Sequence, residues 1–192
     1  DYPVEQLARD CKIASIFEGT DGIQAMDLLG RKLGLKNGEV FAAFMAEMRK
    51  TIDAARSIDA IEPLAKAMAA AADQLNDTAL ALGRQAAGPE FKTAYAAAHP
   101  FMMAMGDVIL GWMLLWRALA AAPELQKRVD GLDGGKRTLK IENDKQAAYY
   151  DGQIQTARYY IGAVLPEALG RLAAVRDMGD AVLRISERGF GG

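Results

Sequence analysis

Histidine and cysteine are almost absent from this chain, which holds one of each among its 192 residues. A single histidine, His99, excludes zinc sites and catalytic centres that need two imidazoles. A single cysteine, Cys11, excludes an internal disulfide and is typical of a reducing compartment, so we expect a cytoplasmic protein. Few side chains remain that could hold a metal ion, and we predict no metal site.

The chain also lacks an excess of positive charge and a long uninterrupted apolar run. Its 23 basic and 25 acidic residues give a net charge of -2, which favours neither nucleic acid nor an anionic membrane as a partner. The apolar run at about 109–119 is shorter than the roughly 20 residues of a membrane span and contains Arg117. We therefore predict that this run is a buried helix of a bundle.

No segment alternates apolar and polar residues as a half-buried strand would, and alanine dominates the middle of the chain, as at 69–72 and 96–98. Such a composition favours helix, and the fold class predicted is all-α. Helical spacing of apolar residues predicts helices over about 3–15, 20–33, 39–56, 61–87, 90–121, 143–164 and 166–186.

The connections between these predicted helices are short. From about residue 38 onward, the long helices therefore predict an antiparallel bundle. Pro100 either kinks the long helix or marks its real start. The glycine-containing segment at 130–136 predicts an exposed loop.

One turn combines a carboxylate with two glycines directly before a predicted helix. It consists of Glu18, Gly19, Thr20, Asp21 and Gly22. The free N–H groups of the first helical turn and the helix dipole favour an approaching anion such as a phosphate, and the glycines allow close approach. Glu18 could then act as a base beside that ligand. The commoner meaning of such a turn is an exposed glutamate next to a capping threonine, so the residues alone leave both readings open.

The residues around this turn resemble a known family. Residues 2–24, with the pair Arg9-Asp10, the run Phe17-Glu18-Gly19-Thr20 and then Ile23-Gln24, are similar to the final helix pair of the acyl-CoA dehydrogenases. The similarity extends over more than twenty positions without a gap. It is therefore far more specific than the Glu-Gly-Thr tripeptide by itself.

The resemblance implies a role for each residue of the turn. Glu18 matches the family's catalytic base, which removes the α-proton of an acyl-CoA thioester while FAD takes the β-hydrogen as hydride. Gly19 matches a residue that lies against the thioester, and the cofactor-binding positions are Thr20, Asp21 and Gly22. The resemblance also implies an acyl-CoA substrate and an electron-transfer flavoprotein as electron acceptor.

Two regions follow from the same resemblance. Residues 1–36 match the end of the dehydrogenase core. Residues 37–192, including 149–160 and 164–167, resemble an additional C-terminal helical domain found in a longer, largely bacterial subgroup, the 3-methylmercaptopropionyl-CoA dehydrogenase type. Since the family builds its flavin and acyl-CoA pockets from further domains, we expect this chain to be a fragment, inactive alone and homo-oligomeric in its parent. The opening Asp1, without an initiator methionine, supports the same expectation.

A non-catalytic alternative stays open, in which the bundle is an interaction or oligomerisation module. Trp112 and Trp116 are four residues apart and predict core or interface packing. His99 has no acidic residue at a local spacing, and we interpret it as structural. Arg9-Asp10 fits either a surface pair or a clamp near the flavin.

Overall fold

A computed structural model describes residues 4–17 and 20–190, and every regular element in these ranges is helical. The all-α prediction is confirmed. The α-helices are α1 (Val4–Lys12), α2 (Thr20–Asp27), α3 (Glu39–Arg56), α4 (Glu62–Ala86), α5 (Phe91–Ala96), α6 (Ala98–Val129), α7 (Gly134–Asn143), α8 (Lys145–Tyr159), α9 (Leu165–Arg176) and α10 (Ala181–Arg184). Shorter 3₁₀ or π turns are Ile13–Ser15, Leu28–Lys32, Leu35–Gly38, Tyr160–Val164 and Glu187–Phe190.

Helix α6 is the centre of the bundle and packs against α2, α3, α4, α8 and α9. Neighbouring α3 and α4 run antiparallel, as the 2.9 Å ion pair between Arg49 and Asp73 shows. A close approach of α4 to α6 is possible because residue 111 is glycine: a Cβ there would lie 2.9 Å from the sulfur of Met68. The largest fully buried side chains include Phe101, Met48, Met68, Leu75, Leu115 and Leu172.

The structure corrects the predicted long helix at 90–121. The short α5 comes first, and α6 then begins at Ala98 and continues through Pro123 to Val129. Pro100 lies in the first turn of α6, where its missing N–H leaves no hydrogen bond unmade. Of the two meanings predicted for Pro100, a helix start is therefore correct.

By length and composition, α6 is the one helix in the described ranges that could cross a membrane, with a mean hydropathy of 1.4 over its most apolar 18-residue window. About 44% of that window is buried inside the protein. Core helices of a bundle have the same length and hydropathy, and α6 contacts five other helices here. The predicted packing of the 109–119 run within the bundle is confirmed, although its helix is much longer than the run.

Residues 130–136 are only partly the loop that was predicted. The turn is short, and α7 already begins at Gly134. Helix α8 begins at Lys145 because Asp144 caps it: one carboxylate oxygen accepts hydrogen bonds from the backbone N–H groups of Gln146 at 2.9 Å and Ala147 at 3.1 Å. The side chain of Lys140 adds a 2.7 Å ion pair. The hydrogen bond from Lys140, followed by those from the backbone, lowers the pKa of Asp144 to about 2.

A π turn at Tyr160–Val164 joins α8 to α9, and Pro166 explains it. Proline has no N–H and its ring clashes with the carbonyl four residues earlier, so a regular α-helix cannot pass through this point. The N–H of Leu165 instead donates to the carbonyl of Tyr160. The Tyr160 hydroxyl donates to the carbonyl of Asp107 on α6 at 3.2 Å, and Arg171 pairs with the Asp107 carboxylate at 2.8 Å.

The two tryptophans of α6 have different surroundings. Trp112 is buried, with 9% of its surface exposed, and the ring of Phe44 on α3 packs edge-on against it. Trp116 stacks on Trp112 with ring centroids 6.1 Å apart but is 54% exposed. The predicted packing role therefore holds for Trp112 in the core, whereas Trp116 lies on the outer surface of α6.

Candidate functional site

The candidate site is the connection between α1 and α2. Glu18 and Gly19, the residues matched to the catalytic base and to thioester contact, lie outside the described residues. The structure does describe Phe17 before them, which is exposed, and Thr20, Asp21 and Gly22 after them. The three cofactor-binding candidates thus form the first turn of α2.

Thr20 has an unusual backbone. Its φ is +79°, in the left-handed region that β-branched side chains rarely adopt. The conformation turns the chain sharply into α2 at the position where the sequence motif lies. Backbone strain of this kind costs about 1–3 kcal/mol and is found most often at functional sites.

The first turn of α2 leaves room for a ligand near the backbone. A Cβ added at Gly22 would meet only the Thr20 hydroxyl oxygen, at 3.9 Å. The first N–H groups of a helix have no partner within the helix, so amides of this turn are available to an anion. A carboxylate, Asp21, shares the turn, and its negative charge would repel that anion unless another group neutralises it.

His99 is the group nearest to that carboxylate by charge. Its Nε2 lies 3.7 Å from Oδ2 of Asp21, and the side chains are 51% and 40% exposed, respectively. The sequence interpretation of His99 as a histidine without an acidic partner is therefore wrong. No local spacing could have indicated the pair, because α2 and α6 are far apart in the chain and meet only in the fold.

Helix α2 is fixed to the bundle along one face only. Ala25 and Leu29 are buried, and α2 packs on α6. On the other side Ile23 and Met26 are exposed. At its end, the hydrogen bond from Arg31 lowers the pKa of Asp27.

Helix α1 buries nothing. Its predicted apolar face is exposed throughout, and Cys11, predicted to be inert on that face, is exposed as well. Arg9 pairs with Glu5, while Asp10 accepts a 2.8 Å hydrogen bond from Gln6, so Arg9 and Asp10 do not pair with each other. The exposed apolar side chains of this region are Val4, Leu7, Ile13, Ile16 and Phe17.

A cavity of about 500 Å³ lies beside the π turn that ends α2. Its walls are mostly apolar, with Leu29, Leu33 and Phe41 among them, and Arg84 lies in the lining. The Tyr95 hydroxyl occupies the space that a Cβ at residue 30 would need, which explains the glycine there. Within 4–17 and 20–190, no group of three or more His, Cys, Asp or Glu side chains is arranged to hold a metal ion.

Comparisons with known proteins identify relatives of this architecture. The model of a family described as "Acetyl-CoA dehydrogenase C-terminal like" matches residues 44–186. A 3-methylmercaptopropionyl-CoA dehydrogenase of Ruegeria pomeroyi is 37% identical over 191 residues, which cover 95% of this chain and 28% of that protein.

Two further relatives have similar coverage. A broad-specificity linear acyl-CoA dehydrogenase of Mycobacterium tuberculosis is 26% identical, over 99% of this chain and 30% of its own length. A butyryl-CoA dehydrogenase of Syntrophomonas wolfei is 28% identical, over 99% of this chain and 29% of its own length. The chain thus spans less than a third of the length of the relatives it matches.

Proposed function

Since the chain belongs to the acetyl-CoA dehydrogenase C-terminal-like family, we propose that it is the C-terminal part of a longer, FAD-dependent acyl-CoA dehydrogenase. In this proposal residues 1–36 complete the dehydrogenase core and residues 37–192 form an additional helical domain. One observation carries it: relatives named as acyl-CoA dehydrogenases align with 95–99% of this chain, and that span includes the motif around residue 18.

Glu18 is the proposed catalytic base, which takes the α-proton of the acyl-CoA thioester. Burial of a carboxylate raises its pKa and therefore its basicity, and hydrogen-bond donors at the thioester oxygen stabilise the enolate that develops. Gly19, without a side chain, allows the thioester to lie against the backbone. FAD, when bound, accepts the β-hydrogen as hydride.

The first turn of α2 is the proposed contact with the FAD phosphates. Its amides are available to an anion, Gly22 has open space at its Cβ position, and Asp21 has a potential cation beside it. These features fit a phosphate-bearing cofactor. Thr20 contributes its backbone and hydroxyl at the point where the chain turns into the helix.

The decisive experiment is Glu18→Gln in the full-length polypeptide. Loss of the base should lower turnover by at least about 10²-fold, while the flavin absorption spectrum shows FAD still bound. Glu47→Gln on the surface of α3 is the matched control and should leave turnover unchanged. Near-normal turnover of Glu18→Gln would remove Glu18 from the role of base.

The isolated 192-residue chain should neither bind FAD nor oxidise an acyl-CoA, because less than a third of the relatives' length is present to build those pockets. Titration of the chain with FAD, followed by flavin fluorescence, tests this. For the parent we propose an acyl-CoA substrate, an electron-transfer flavoprotein as acceptor, a cytoplasmic location and a homo-oligomeric state.

A second candidate function, an interaction or oligomerisation module, is favoured by the outer surface of α6. Met103, Leu110 and Trp116 are exposed along one side of this helix. Sedimentation velocity of the parent with and without residues 37–192 tests the module. An unchanged oligomeric state after the deletion would rule out oligomerisation as its role.

A further inference from the structure

We propose that His99 is a positioning residue that holds and neutralises the Asp21 carboxylate, so that the first turn of α2 can accept an anionic cofactor. The proposal rests on the proposed function, because FAD is the anion in question. It assigns to the C-terminal bundle a direct contact with the motif that precedes it.

The contact is held from both sides by buried residues. On α6, Ala98 and Phe101 flank His99 and are fully packed, and Pro100 restricts the same turn. On α2, Ala25 is buried one turn after Asp21. The 3.7 Å separation of the imidazole and the carboxylate is therefore set by two anchored helices.

The position of His99 is unfavourable for its own helix. It is in the first turn of α6, where the helix dipole disfavours a cation. Asp21, in the first turn of α2, is favourable for its helix but would repel a phosphate at the same amides. The pairing of His99 with Asp21 accounts for both side chains: the imidazole gains an anion, and the local charge near the α2 amides is brought toward zero.

The test is a double-mutant cycle for FAD affinity in the full-length polypeptide. His99→Ala should weaken FAD binding by about two- to fivefold, the range expected for one partly exposed ion pair. Asp21→Ser removes the carboxylate, so adding His99→Ala to that background should have no further effect. His99→Arg restores a cation and should restore affinity.

Two controls separate positioning from folding. The melting temperature of His99→Ala should stay the same or rise slightly, since a cation is removed from a helix N-terminus. Arg49→Ala breaks a comparably exposed ion pair away from the turn and should not alter FAD affinity. An equal loss of affinity from His99→Ala in the presence and absence of Asp21 would overturn the proposal.

The contact can also be measured without any cofactor. His99 is the only histidine, so its imidazole gives a single set of resonances in the 192-residue chain. Asp21→Asn should shift them, whereas Asp73→Asn should not; an unmoved imidazole would overturn the proposal. A full-length protein that binds no FAD would contradict the proposed function and with it this inference, whereas bound FAD with His99→Ala unchanged contradicts this inference alone.

Discussion

Helices α1 and α3 carry the same kind of apolar stripe, yet only one of them has a core to pack against. Every residue of α1 is exposed or partly exposed, including Val4 and Leu7. The apolar face of α3 is instead covered by α4 and α6. Its buried residues are Phe41, Met45, Met48, Ile52 and Ala55. An apolar stripe thus predicts a helix and its inner face, but whether that face is buried depends on the rest of the structure.

The proposed function explains the contrast. If residues 1–36 complete a dehydrogenase core, the partner of α1 belongs to the remaining length of the longer polypeptide. The bundle from α3 to α9 has its partners within this chain and is packed without that remainder.

The largest effect expected from this comparison uses one substitution at two places. Leu115→Ala on α6 removes a fully buried side chain and should lower the free energy of unfolding by about 2–5 kcal/mol. Leu7→Ala on α1 removes a side chain that is 62% exposed and should change it by less than about 0.5 kcal/mol. Urea unfolding of the 192-residue chain measures both.

The same pair of variants can break the comparison. A cost of 2 kcal/mol or more for Leu7→Ala would mean that α1 is packed in solution. In the full-length protein, by contrast, Leu7→Ala should become costly, because the proposed partner of α1 is then present.

A smaller effect distinguishes the inner and outer sides of α6. Gly111→Ala places a methyl group 2.9 Å from the Met68 sulfur and should destabilise the chain by about 1–2 kcal/mol, after the gain in helix propensity is subtracted. Gly106→Ala meets nothing within 4 Å and should stabilise it by about 0.5–1 kcal/mol. Thermal unfolding of both variants checks the opposite signs, and a shared sign would contradict the packing of α6 on α4.

The smallest effect tests a helix start inside the bundle. Asp144→Ala removes the cap of α8 and should lower the melting temperature by about 2–4 °C at pH 7. The folded-state pKa of Asp144, about 2, lies below its ordinary value of 3.8. Its contribution is therefore complete above about pH 4 and is lost as the pH falls toward 2. Melting curves from pH 7 to pH 2 should converge for the two proteins.

Asp144→Asn is the matched control. Asparagine still accepts the backbone hydrogen bonds of a cap but cannot pair with Lys140, so its loss should be smaller and nearly independent of pH. A gap between Asp144→Ala and the unmodified chain that persists undiminished at pH 2 would contradict the assigned role of the carboxylate.

The sequence was sufficient to predict the helical class and the position of α3, whose bounds at 39–56 match the structure. Errors concentrate where local signals compete. Glycines at 131, 134 and 135 predicted a loop, whereas the structure starts α7 at Gly134. The final long helix ends at Arg176 instead of 186, because the chain turns at residues 177–180 before the short α10.

At the candidate site, the motif could be found by resemblance, but its surroundings could not. The carboxylate of Asp21 and the imidazole of His99 belong to separate helices, and only packing of α2 on α6 brings them together. Likewise, Trp112 and Trp116 share a helical face by spacing, yet the width of the groove beside α6 leaves one of them exposed.

The π turn before Pro166 changes the direction in which a continuous helical rod faces. Buried residues continue at three- and four-residue steps from Ile154 through Leu165 to Val175, as they would along one straight α-helix. The wide turn, however, adds about one residue of rotation, roughly 100°. A single uninterrupted hydrophobic rhythm is thereby shifted in phase, so that α8 faces α6 while α9 faces both α6 and α4. One proline thus acts as a gear between two neighbours of the same rod.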